Sequence, residues 1–190
     1  MQTYISILRG INVGGNRIVR MEDLREWYMG LGFKDVQSYI QSGNLVFNSD
    51  KQETTELESL ISAMILKNCQ IEVPLVVLDI DQLKHVVATN PFLLQPVFNL
   101  ESLHVTFLSA KPSTEELDRI KAMNHLPDRF LPVDKYIYIH CPNGYGKTRL
   151  TNNFFESKLK VTATTRNWRT LNELIRLAEK IILPAENLIN

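Results

Sequence analysis

Two stretches of this 190-residue sequence carry the residue types of an oxyanion site. The first is Arg9-Gly10-Ile11-Asn12-Val13-Gly14-Gly15-Asn16-Arg17, followed by Arg20. Its glycines permit positive φ and leave backbone N–H groups for an anion-binding nest, and its arginines would add charge-assisted donors. The second combines Asn143-Gly144-Tyr145-Gly146-Lys147-Thr148-Arg149 with Thr164-Thr165-Arg166-Asn167-Trp168. Lys147 and Thr148 at a helix N-terminus would suit an oxyanion.

Charge follows the same two stretches. The chain holds 21 basic and 21 acidic residues, yet residues 1–20 carry three basic side chains and no acidic one. Residues 21–134 carry nine basic and seventeen acidic, and residues 135–170 carry seven basic and one acidic. This unevenness suits a local anion site better than a nucleic-acid coat, which would favour a basic total.

Other chemistry is discounted on spacing. Gly146-Lys147-Thr148 would need a glycine five positions before Gly146 to be a P-loop, and Cys141 stands there. His140 and Cys141 are adjacent, so on a strand they face opposite ways and make no dyad. His85, His104 and His125 lack ligand spacing, and neither GxSxG nor GxGxxG occurs. No general base is nominated, no metal site and no cofactor are expected, and whether the chain is an enzyme stays open.

The elements that must hold these loops read βαββαβ twice. In the first half, residues 3–9 form a strand and Met21–Leu31 a helix stopped by Gly32. Strands Val36–Gln41 and Leu45–Phe47 join through Ser42-Gly43-Asn44, and a helix follows with Thr55 and Glu58 as capping box. Pro74–Leu78 closes the unit as an edge strand. A helix from Asp79 to Ala88 and the segment to Asn99 form a connector.

In the second half, Leu103–Leu108, Phe130–Val133, Tyr136–His140 and Val161–Thr164 are strands. Helices are expected from a Ser113/Glu116 capping box to Met123, over Leu150–Leu159 and over Trp168–Ile182. Leu103, Val105, Phe107, Ile137 and Ile139 are expected against helices, with Tyr136 and Tyr138 on a mixed face. The order is α+β with tandem ferredoxin-like halves, antiparallel sheets and an added C-terminal helix. The boundaries read 1–80, a connector over 81–99, a second half over 100–166, and a helix and tail over 167–190.

With 44% hydrophobic residues the chain can bury a core, and its longest apolar run, residues 73–78, is too short for a bilayer. The N-terminus lacks a signal-peptide pattern, and Cys69 and Cys141 form no CxxC, so both are expected as free thiols. The chain therefore reads as a cytoplasmic protein without a membrane segment; its oligomeric state is not indicated.

The words Arg9-Gly10-Ile11-Asn12-Val13-Gly14-Gly15 and Tyr39-Ile40-Gln41-Ser42-Gly43-Asn44 resemble the bacterial domain-of-unknown-function 1697 family. Asn90-Pro91-Phe92, Leu103–Leu108 and Thr164–Thr170 fit it too, in order along the chain. The resemblance implies two ferredoxin-like halves and a bacterial cytosolic protein, and it implies no reaction.

The expected function is binding of a small anionic ligand, a nucleotide or phosphorylated metabolite, at the Gly/Arg loops. The candidate residues are Arg9, Asn12, Gly14, Gly15, Arg17, Gln41, Ser42 and Asn44, together with Lys147, Thr148, Arg166 and Asn167. Bringing the two basic edges together would make a shared cleft. The alternative is a non-catalytic regulatory or protein-interaction module. RNA binding is the third reading: Tyr4 and Phe47 sit on candidate central strands, but the basic and aromatic RNP1 run is absent.

Overall fold

The computed structural model describes residues 1–15, 17–51, 53–95 and 99–182. The first βαββαβ set is β1 (Gln2–Leu8), α1 (Met21–Gly30), β2 (Lys34–Tyr39), β3 (Asn44–Ser49), α2 (Thr54–Cys69) and β4 (Leu75–Asp79). After α3 (Ile80–Ala88) come β5 (Leu103–Leu108), α4 (Thr114–Lys121), β6 (Arg129–Val133), β7 (Tyr136–His140), α5 (Asn152–Leu159), β8 (Ala163–Asn167) and α6 (Trp168–Ile182). Both four-stranded sheets are antiparallel, in the orders β2-β3-β1-β4 and β6-β7-β5-β8. Each half thus has its first and third strands in the centre, the ferredoxin-like order. Contacts divide the chain into Met1–His85 with Asn172–Asn190, and Val86–Leu171. Asn16 of the first loop, residues 96–98 of the expected connector and residues 183–190 of the expected tail lie outside the described residues.

In the first unit, alternation sends Tyr4, Leu8, Leu45 and Phe47 to one sheet face. There they form a core with Leu24 and Tyr28 of α1 and Leu57, Ile61 and Ile65 of α2. Tyr4 and Phe47 stack at 5.9 Å, and Tyr28 meets Phe47 edge-on at 5.4 Å. The buried Tyr28 hydroxyl shares a 2.9 Å hydrogen bond with Ser6, so neither polar group is stranded. Tyr4 and Phe47 are fully buried, which leaves them no open ring for a base to stack on. β4 is an edge strand, and it begins after Pro74.

Two local expectations are corrected, the cap of α2 and the end of β2. α2 starts at Thr54 with Glu53 as an N-cap that makes no side-chain bond. The Thr55/Glu58 box does not form, because Glu58 instead accepts the backbone N–H of Val77 in β4 at 2.9 Å. β2 ends at Tyr39, not Gln41, since the Asn44 amide donates to Tyr39 O and Ser42 Oγ and closes residues 40–43 as the turn.

In the second unit, Ile137, Ile139 and Cys141 pack with Ile120 of α4 and Phe155 and Leu159 of α5. The Ser113/Glu116 capping box is present, with Ser113 Oγ accepting from Glu116 N. Register pairs Val105 with Tyr138 and Phe107 with Tyr136, whereas Ile137 pairs with Thr106. Directly paired residues share a face, so Leu103, Val105 and Phe107 lie with the tyrosines and opposite the isoleucines. Ile137 and Ile139 pack on α4 and α5 as expected, whereas Leu103, Val105 and Phe107 share the tyrosine face, which corrects their expected separation from Tyr136 and Tyr138.

The last strand differs most. β8 runs to Asn167, so Thr164 to Asn167 are paired with β5 and do not form a loop. The polar string Thr-Thr-Arg-Asn reads as loop by composition, but Thr165 hydrogen-bonds Thr106 across the strands at 2.7 Å and suits a pleated sheet. α5 begins at Asn152, not Leu150, because Thr151 Oγ1 caps Phe154 N. Both cysteines are free.

Candidate functional site

At the first-unit edge, the loop after β1 and the β2–β3 turn meet. One amide joins them: Asn12 Nδ2 donates to Val19 O and to Gln41 O, each at 2.8 Å, while Asn12 Oδ1 accepts from Val19 N at 2.8 Å. Both amide hydrogens are therefore engaged by the chain itself. Leu8 N donates to Gly43 O, and a Cβ at Gly43 would lie 2.7 Å from the Leu8 Cβ, so only glycine fits this crossing. Arg9 is half-buried, its backbone N–H on Pro74 O.

Further along the loop, Gly14 and Gly15 have φ of +59° and +75° with open space where side chains would be. Arg17 is exposed, with φ +50° and its carbonyl accepting from Asn12 N. Arg20 pairs with Glu22 at 3.0 Å. Ser42 and Asn44 are tied to each other within the turn. Three apolar side chains, Val13, Ile18 and Ile40, stand exposed beside the points Asn12 joins.

The second-unit loop is built differently. In the β6–β7 hairpin Arg129 pairs with His140, so the segment before β6 and the segment after β7 leave the sheet side by side. Thr148 fastens them: its Oγ1 donates to Asp128 Oδ2 at 2.6 Å and accepts from Leu150 N at 3.0 Å. The Cys141 thiol also bonds Thr148, and burial pushes that thiol up to about 11. Thr148 is buried and extended (φ −74°, ψ 151°), and its two neighbours Lys147 and Arg149 are exposed.

Between the two segments lies a pocket of about 350 Å³. Asn143, Lys147 and Arg149 line it from the segment after β7, and Asn124, His125 and Asp128 from the segment before β6. Leu126, 78% exposed, and Pro127 complete the lining. His125 Nε2 donates to Ile120 O at 2.8 Å, and Phe130 and Phe154 meet its ring edge-on, which fixes the imidazole in place. Neither Lys147 nor Arg149 forms an ion pair among the described residues.

The remaining expected site residues lie on β8. Arg166 donates to Thr165 O at 2.9 Å, and its removal from water lowers the guanidinium to about 10, with Tyr145 acting in the opposite sense. Asn167 Oδ1 accepts from Thr170 N at 2.8 Å and caps α6. Asn124, His125 and Asp128 stand outside the stretches that sequence reasoning selects for an anion, and Asn143 and Arg149 fall within its second loop without being named as ligands. The hairpin order held a signal for them, because it brings the approach to β6 beside the exit from β7. Among the described residues no cluster of His, Cys, Asp and Glu could hold a metal ion, and no helix is long and apolar enough to cross a membrane.

Fold and edges together define an α+β protein of two ferredoxin-like halves. The chain belongs to the family described as "Protein of unknown function (DUF1697)", whose profile matches residues 1–138. Among solved structures it is similar to the conserved bacterial protein SP0830 from Streptococcus pneumoniae, at 19% identity and a TM-score of 0.73, over 93% of this chain and 98% of that one. That likeness is one of fold. No curated protein matches the chain.

Proposed function

We propose that this protein binds a small anionic ligand, of the phosphorylated-metabolite or nucleotide class, in the pocket beneath Lys147 and Arg149. One observation carries the reading: two cations without ion-pair partners among the described residues line a concavity of about 350 Å³, within the size range of small-molecule sites. Polar groups that fix orientation are at hand in Asn124 and Asn143, and Thr148 holds the loop without offering its own hydroxyl hydrogen.

A thermal-shift titration with phosphorylated compounds tests this. A ligand at a hundred times its Kd adds about 2.7 kcal/mol of stability, and that rise should be absent from the Lys147→Ala/Arg149→Ala double variant. An equal rise in the double variant would refute the site. A second reading, a non-catalytic interaction module, is favoured by the exposed Val13, Ile18 and Ile40 around the Asn12 junction.

A further inference from the structure

Resting on the anion-site reading, we infer that the pocket is shaped for the phosphate monoester of a polyhydroxylated compound, a sugar phosphate, and not for a bare inorganic anion. The decisive group is Asp128. Its Oδ2 accepts from Thr148, while its Oδ1 accepts no hydrogen bond from any described residue, and the side chain lines the pocket.

A carboxylate beside an oxyanion site repels the oxyanion, so in a pocket for phosphate alone the Oδ1 of Asp128 would oppose binding even while its Oδ2 anchors the loop through Thr148. An ionised carboxylate is purely an acceptor, and a neighbouring pair of hydroxyls is the group that best supplies donors to it. Asn143, exposed and unbonded to the described residues, adds an amide that can both donate and accept. The ligand must then present negative charge to Lys147 and Arg149 and hydroxyl donors to Asp128, which is the chemistry of a sugar phosphate.

Size and lining agree. Inorganic phosphate is a small guest for a concavity of about 350 Å³, which lies in the size range of sites that take larger small molecules. The lining includes no Phe, Tyr or Trp, and the His125 ring is already met edge-on by Phe130 and Phe154, which leaves the Arg149 guanidinium as the planar group for a nucleobase. A ligand with a saturated, hydroxyl-bearing body suits this lining better.

Calorimetric titration of the full chain with ribose 5-phosphate, inorganic phosphate, D-ribose and AMP separates the possibilities. Hydroxyl bonds to a charged acceptor should make ribose 5-phosphate bind about tenfold tighter than inorganic phosphate. AMP should bind no tighter than ribose 5-phosphate, and D-ribose should not bind measurably. Asp128→Asn, which can still accept from Thr148, should lose most of that preference while holding inorganic phosphate as well as before or better. Asn143→Ala, which breaks no bond of the fold, should lower affinity for ribose 5-phosphate alone. Equal affinity of the wild type for ribose 5-phosphate and inorganic phosphate would overturn this inference and leave the anion site standing. Tighter binding of AMP would overturn it in favour of a base contact, and failure of every anion to bind would overturn the anion site itself.

Discussion

The two glycine-bearing loops have similar composition and different uses of their polar atoms. In the first unit the Asn12 amide is saturated by Val19 and Gln41, Arg20 is paired, and the turn residues Ser42 and Asn44 bond each other, while Arg17 stays exposed without an ion pair among the described residues. In the second unit one buried hydroxyl, that of Thr148, takes up the structural work, and its flanking cations line an open pocket. The difference teaches that Gly, Asn and Arg in a loop do not by themselves make a site. What counts is whether the donors are left over after the loop has satisfied its own backbone.

Substituting the two hubs tests this contrast, and Asn12→Ala and Thr148→Val should have the largest effects on stability. Asn12→Ala removes three hydrogen bonds that hold the loop to the turn, so unfolding free energy should fall by about 2–4 kcal/mol. Phosphate affinity should be unchanged; a parallel loss of affinity would mean the first edge takes part in binding. Thr148→Val keeps the shape and removes the bonds to Asp128, to Leu150 N and to the Cys141 thiol. It should cost about 2–4 kcal/mol, and here phosphate affinity should drop several-fold because Lys147 and Arg149 lose their anchor. Urea titration and calorimetry on the same samples give both quantities.

Acid should act on the second unit. Burial holds His104 below the ordinary histidine value of 6.5, as burial and then Arg129 do for His140. Above that value both rings are neutral in the folded and unfolded chain, and the stability is fully present. As pH falls below 6.5 the unfolded chain takes up protons first, so stability declines towards the lower folded value. Hydrogen exchange should show protection in β5 and β7 weakening over that window, and His104→Phe should flatten part of the decline. A decline unaffected by the substitution would remove His104 from this account.

The smallest effect is expected at Ile40. A β-branched residue at φ +51° in an exposed turn is strained. Ile40→Gly should raise stability by up to about 1 kcal/mol without touching phosphate binding. Destabilisation instead would show that the Ile40 side chain packs more than its 52% exposure implies.

Strand and helix order could be read from the sequence because periodicity and capping are local signals. The Ser113/Glu116 box and the Trp168–Ile182 stripe needed no tertiary information. Sequence and structure part where a distant partner decides the outcome. Glu58 left its own helix to bond β4, and Thr164 to Asn167 became strand only because β5 offers them a ladder. The candidate site divides in the same way. Lys147 was visible as a cation beside glycines, but Asp128 and Asn124 take on meaning only through the β6–β7 register. Asn12 looked like a ligand donor, since nothing local announces that Val19 and Gln41 occupy its amide.

Phosphate titration of the isotope-labelled protein, followed residue by residue through backbone amide NMR shifts, tests the contrast most directly. Shifts should concentrate in residues 124–128 and 143–149, saturate together, and vanish in Lys147→Ala/Arg149→Ala. Saturating shifts confined to residues 9–15 and 41–44 would place the anion on the first edge and contradict the account.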